Sequence, residues 1–167
     1  MGKVVKTQPK EPAVSLTPAQ TQANTSPALF TAVAHNLTGA TGESWIDGGL
    51  AVRVVSPLGG QPSRSPAGSG AAPTNPEELL ALSWATCLNA AARVVAGPGV
   101  EVAARVKISL HERAGDGYEF AGHAVLTFEG KSGGEADRLA AAAHARCPVS
   151  RMLAGGSTVT VTAAHGE

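Results

Sequence analysis

The chain has 167 residues, enough for one domain with a real core. Its formal net charge is zero with 16% charged residues, so nothing electrostatic argues for a nucleic acid or an anionic membrane as partner. No unbroken run of 18 apolar residues, about the length of a membrane span, occurs. The N-terminal MGKVVKTQPKEP has no apolar stretch long enough for a secretory signal, and Lys6 stands where a myristoylation signal needs Ser or Thr, so the cytoplasm is the expected compartment.

Residues 1–27 mix Pro, Gln, Thr, Lys and Ser without a hydrophobic period and read as a disordered tail ahead of one domain, 28–167. Residues 28–37 form a β-like run that enters the turn Thr38-Gly39-Ala40-Thr41-Gly42. A short strand over 43–46, a second turn at Asp47-Gly48-Gly49 and an alternating stretch over 50–56 complete an antiparallel meander. Residues 57–73 are filled with Gly, Pro and Ser and predict a long loop, which carries Arg64 toward the start of the next element.

That element is the central helix, residues 74–95. Thr74 or Asn75 can cap it, Pro76 suits the first helical position, and Glu78 stands where a capping-box acid belongs. Leu80, Ser83, Trp84, Cys87, Ala91 and Val94 recur at three- and four-residue steps and predict an inward stripe that includes one of the chain's two cysteines. The helix stops at Gly97-Pro98-Gly99. Residues 100–113 and 118–129 then alternate as a hairpin about Ala114-Gly115-Asp116-Gly117. A second helix over 132–146, a short third one beginning at Cys147-Pro148, and a last β-branched strand over 157–162 complete the chain. This order is α+β, with antiparallel sheets packed around the cysteine-bearing helix.

Two cysteines are too few for a disulfide scaffold and stay reduced in the cytoplasm. Cys147, just ahead of Pro148, falls at a helix N-cap, where free N–H groups and the helix dipole lower a thiol pKa. Cys87 is mid-helix and needs a charged partner or a hydrogen-bond network to ionise. On residue physics alone it reads more readily as a small core filler. His144 with Cys147 has no further ligands at close spacing, so no metal is expected. Neither a G-x-S-x-G elbow nor a G-K-[ST] phosphate cradle occurs.

Thr74-Asn75-Pro76-Glu77, with Cys87 ten residues past Glu77 and then Cys147-Pro148-Val149-Ser150, resembles the organic hydroperoxide resistance and osmotically inducible protein family (OsmC/Ohr). The resemblance covers about residues 28–163 and rests on two motifs in the right order. It implies a thiol peroxidase without a cofactor that reduces alkyl or fatty-acid hydroperoxides. In that reading Cys87 attacks the peroxide, Cys147 resolves the sulfenic acid as an internal disulfide, and a dithiol reductant, in the family commonly a lipoylated protein, reopens it. Glu77 would orient an arginine beside Cys87, with Leu80, Trp84 and Leu88 lining an apolar substrate pocket.

Ten helical residues rise about 15 Å, so an unbroken helix cannot bring Glu77 to its own Cys87. The resemblance resolves this with an intertwined homodimer whose two sites lie at the subunit interface. In one branch of the family the arginine follows a Thr-Gly-Gly turn, but Thr41 holds that place here. In the other branch it comes from the loop before the Thr-Asn-Pro-Glu motif, which favours Arg64 over the mid-strand Arg53. A redox-sensing or small-ligand-binding member of the same fold, with little turnover, is the alternative.

Overall fold

The structure, a computed structural model, describes residues 26–59, 72–115 and 117–163. They fall into two units, 28–157 and a second one to which residues 26, 27 and 158–163 belong. Arg64 lies outside the described residues.

The larger unit begins with the expected meander: β1 (Ala34–Asn36), β2 (Gly42–Ile46) and β3 (Ala51–Val54), antiparallel in that order. Its first strand is shorter than the apolar run that precedes it. Leu29, Phe30 and Leu37 flank β1 fully or nearly exposed, and among the described residues β1 gains pairing from β2 only. Both turns use glycine where the backbone demands it. Gly42 has φ +107° and sits so close to Thr38 that a side chain there would collide with it, while Gly48 (φ +66°) closes the turn in which the Ile46 N–H reaches the Leu50 carbonyl. Val54 is buried, and the segment beside it exchanges two backbone hydrogen bonds with Thr74: Val55 N–H to Thr74 O and Thr74 N–H to Arg53 O, each 2.9 Å. The sheet is thereby tied to the residue that precedes the central helix.

That helix, α1 (Pro76–Ala96), is capped as its sequence requires. Asn75 is the N-cap and its Oδ1 accepts from Glu78 N–H at 2.8 Å, Pro76 is first in the helix, and Glu78 accepts in turn from Thr74 Oγ1 at 3.0 Å. Gly97, at φ +83°, ends it. By length and composition alone α1 could cross a bilayer, but here it packs against the other elements of the core.

The inward stripe runs at a different angle from the expected one. Trp84, Leu88, Ala91 and Ala92 are buried, whereas Ser83 and Val94 are exposed. The helix has to satisfy two neighbours at once. One side lies on the hairpin of β4 (Val102–Glu112) and β5 (Tyr118–Phe128), the other on α2 (Gly133–Arg146) and α3 (Pro148–Leu153), and fully buried Ala92 lets them approach. The hairpin is in continuous register from Val102 opposite Phe128 to Glu112 opposite Tyr118, and Val102, Ala104, Val106, Ile108 and Leu110 turn toward the core as their alternation predicts. Phe128, Ala143 and Cys147 complete the buried cluster. Burying a side chain of Leu or Phe size contributes about 1.5–3 kcal/mol, so Leu88 and Phe128 are its largest apolar anchors beside Trp84.

The last strand expected, over residues 157–162, is not formed; residues 158–163 are irregular and exposed. β-branched alternation favours a strand only where a neighbouring edge supplies hydrogen bonds, and sequence period cannot provide that edge.

Candidate active site

Cys87 lies midway along α1, half-buried, and Cys147 joins α2 to α3 with no exposed surface. Both are free thiols, and each influences the ionisation of the other. Cys147 ends α2 and also caps α3, with Pro148 first in that helix. This reproduces at α3 the cap-then-proline start of α1. Its sulfur accepts the Ser150 N–H at 3.4 Å, the contact an N-cap side chain makes with the third residue of a helix.

These surroundings separate the two sulfurs. Burial pushes the Cys87 thiol up, the Val149 N–H pulls it partly back, and neighbouring Cys147 raises it again, so it ends above its ordinary value. Burial would also push Cys147 up. Hydrogen bonds from the Ser150 hydroxyl and N–H, the Cys87 thiol and the Val149 N–H outweigh it and hold Cys147 below its ordinary value. Among the described residues, Cys147 is therefore the sulfur that ionises first.

Ser150 is 1% exposed, and its hydroxyl oxygen accepts the Trp84 indole N–H at 2.8 Å. Trp84 and Ser150 both line a cavity of about 270 Å³ together with Leu80, Ile108, Phe120 and Gly122 and, at the α2 and α3 end, His144, Leu153 and Ala154. Leu80 and Trp84 are thus on its wall. Leu88 is not, because it lies one turn beyond Trp84 on the same face and is sealed into the core. Sequence reasoning missed Phe120 and Gly122. The available signal was a glycine inside a strand pattern, which often marks close approach by another group.

Glu77 is in the first turn of α1, and α1 runs unbroken from there through Cys87. Ten residues at the α-helical rise put them about 15 Å apart along the axis, so the helix does not bring them together. The Glu77 Oε2 atom is buried with no hydrogen-bond partner among the described residues. Thr41 is exposed in its turn, its hydroxyl 3.5 Å from the Thr38 carbonyl, and Arg53 is exposed on β3. No cluster of three or more His, Cys, Asp or Glu able to hold a metal occurs among the described residues.

A thiol on a central helix facing a second thiol at a helix N-cap, on antiparallel sheets, defines an α+β protein with a paired-cysteine site. A family model for OsmC-like protein matches residues 68–162, and the chain belongs to that family. The organic hydroperoxide resistance protein OhrA of Bacillus subtilis is 34% identical over 97 residues, 55% of this chain and 68% of the relative. Two solved structures are similar over most of this chain. An organic hydroperoxide resistance protein of Legionella pneumophila is 30% identical with a TM-score of 0.64, covering 78% of this chain and 94% of that one. OhrB of Bacillus subtilis is 29% identical, also with a TM-score of 0.64, covering 78% and 95%.

Proposed function

We propose that this chain is a thiol peroxidase for organic hydroperoxides. The carrying observation is the pairing of Cys87 with Cys147, sixty positions apart in sequence yet near enough that each shifts the other's ionisation. The names of the relatives, organic hydroperoxide resistance proteins, support the choice of substrate class. The Cys87 thiolate attacks the distal peroxide oxygen, the O–O bond breaks, and the alkoxide leaves and takes a proton to become the alcohol. Cys87 is then a sulfenic acid. Cys147 attacks that sulfur, the S–S bond forms, the S–O bond breaks, and hydroxide departs to become water. A dithiol reductant, of which a lipoylated protein is the candidate, reopens the disulfide by exchange and is itself oxidised to a disulfide. Leu80 and Trp84, on the cavity wall, are assigned to the apolar part of the substrate.

Cys87 needs help to ionise ahead of Cys147, and the buried Glu77 oxygen supports a source for it. A carboxylate buried without a partner is costly, and an arginine is its natural complement. On the resemblance alone we assign that arginine to Arg64, paired with Glu77 and turned toward a Cys87 thiolate. Because Glu77 is about 15 Å from the Cys87 of its own helix, the pair would serve the cysteine of a second copy, which makes the working unit a homodimer. Exposed Leu29, Phe30, Leu37 and Leu50 around the three-stranded sheet support such an assembly.

The test is the loss of cumene hydroperoxide with dihydrolipoamide as reductant. Turnover should vanish with Cys87→Ser and drop at least a hundredfold, about 2.7 kcal/mol in barrier, with Arg64→Ala. Wild-type turnover no faster than that of Cys87→Ser would overturn the peroxidase. It would favour instead a redox-sensing or ligand-binding member of the fold, a reading that draws on the burial pushing Cys87 up.

A further inference from the structure

Trp84 is held at both ends of its ring system. At one end the indole N–H donates to Ser150 Oγ at 2.8 Å, and at the other the six-membered ring lies against Gly122, where a Cβ would come within 2.8 Å of Cζ3 and 3.5 Å of Cη2. Only backbone without a side chain leaves room for the ring in that position. The residue is 8% exposed.

An indole N–H can only donate, whereas a hydroxyl both donates and accepts. With the Ser150 oxygen accepting from Trp84, its own hydrogen is available for another acceptor, and the backbone N–H of the same residue donates to the Cys147 sulfur at 3.4 Å. The donors therefore run in one direction, from the indole to Ser150 and from Ser150 to the sulfur. All three residues are buried, Cys147 and Ser150 almost completely, which strengthens these contacts.

We propose that Trp84 is a positioning residue for the second thiol: by anchoring Ser150, whose N–H caps the sulfur, it holds Cys147 in the rotamer from which it closes the disulfide on Cys87. The proposal rests on the two-thiol reading above. In that step the Cys147 thiolate attacks the Cys87 sulfenic sulfur, the S–S bond forms, and the S–O bond breaks with loss of hydroxide. Cys147 is oxidised and the Cys87 sulfur reduced. A Phe at position 84 keeps most of the ring but offers no donor, which frees the Ser150 hydroxyl to turn away from the sulfur.

The first readout needs no turnover. In a Cys87→Ser background, the ultraviolet absorbance of the Cys147 thiolate is titrated against pH with and without Trp84→Phe, and the second change should raise the midpoint by about one pH unit. In the protein with both cysteines, the rate of disulfide closure divided by the rate of sulfenic acid formation should fall about tenfold with Trp84→Phe. Gly122→Ala keeps every donor but crowds the ring, and should move both readouts part of the way. Ser150→Ala, which removes the middle of the chain but keeps the ring itself, should raise the midpoint as Trp84→Phe does and serves if the latter fails to fold. An unchanged midpoint in folded Trp84→Phe or Ser150→Ala would overturn the proposal. A wild type inactive on hydroperoxide would remove the peroxidase reading alone, since the titration still decides the donor chain.

Discussion

Asn89 donates its side-chain amide to the Val102 carbonyl at 2.9 Å, joining the middle of α1 to the first residue of β4. Both groups are partly buried, so the bond does more than a surface contact. It also fixes the height at which the helix meets the hairpin, and hence where Cys87, two residues earlier, stands over the core. Asn89→Ala leaves the Val102 carbonyl without this partner and should cost about 1–2 kcal/mol. Urea unfolding monitored by circular dichroism measures the shift in midpoint. A change within experimental error would mean that water replaces the amide without loss.

The cap of α1 supplies a second test. Asn75 is 8% exposed and its oxygen takes the Glu78 N–H. Asn75→Ala should lower stability by about 0.5–2 kcal/mol, while Asn75→Asp, which keeps an acceptor at the positive end of the helix, should recover most of the loss. Thermal unfolding of the two variants side by side distinguishes the cap from mere packing. Equal losses in both would argue that the amide's shape matters more than its oxygen.

The two thiols titrate as a coupled pair, and the direction of each shift fixes the sign of its effect on stability. Cys147 has a folded pKa below its unfolded one, so its contribution is present above the unfolded value and is lost as pH falls through the folded value. Cys87 has a folded pKa above its unfolded one, so its contribution is present below the unfolded value and is lost as pH rises through the folded value. Between neutral pH and the ordinary thiol range, the stability advantage of the wild type over Cys147→Ser should therefore grow with pH. Above that range, its advantage over Cys87→Ser should shrink. Denaturant titrations of the three proteins across that interval test it, and parallel pH profiles would contradict the assignment of the first thiolate to Cys147.

Features with a short physical cause were legible in the sequence. Asn75-Pro76 and Cys147-Pro148 each place a capping side chain before the residue that suits a first helical position, and both caps are found there. The alternation of Val102, Val106, Ile108 and Leu110 gave the hairpin and its inward face. Features set by neighbours were not legible. Ser83 and Val94 fit a helical period, yet the buried arc is decided by where β4, α2 and α3 meet the helix, and it passes through Leu88 and Ala92 instead. The bond from Trp84 to Ser150 joins residues 66 apart in the chain, and no local period announces it. The strand expected over residues 157–162 failed for the same reason, since its formation depends on an edge elsewhere.

Glu77 carries the last prediction, because its two readings lead to opposite results. If its buried oxygen serves only the start of α1, Glu77→Gln removes a buried charge and should leave stability and catalysis nearly unchanged, the helix dipole being worth about 0.3–1 kcal/mol at such a position. If it orients the arginine beside a Cys87 thiolate, the neutral amide weakens that ion pair. In that case kcat/KM for cumene hydroperoxide should fall at least tenfold, about 1.4 kcal/mol, and the Cys87 thiolate midpoint should rise while thermal stability stays within about 1 kcal/mol of the wild type. The proposed function requires the second result. Steady-state kinetics, with the thiolate titrated in a Cys147→Ser background, separates the two. Unchanged kcat/KM together with an unchanged midpoint would return Glu77 to a helix-start acid and leave the ionisation of Cys87 to other groups.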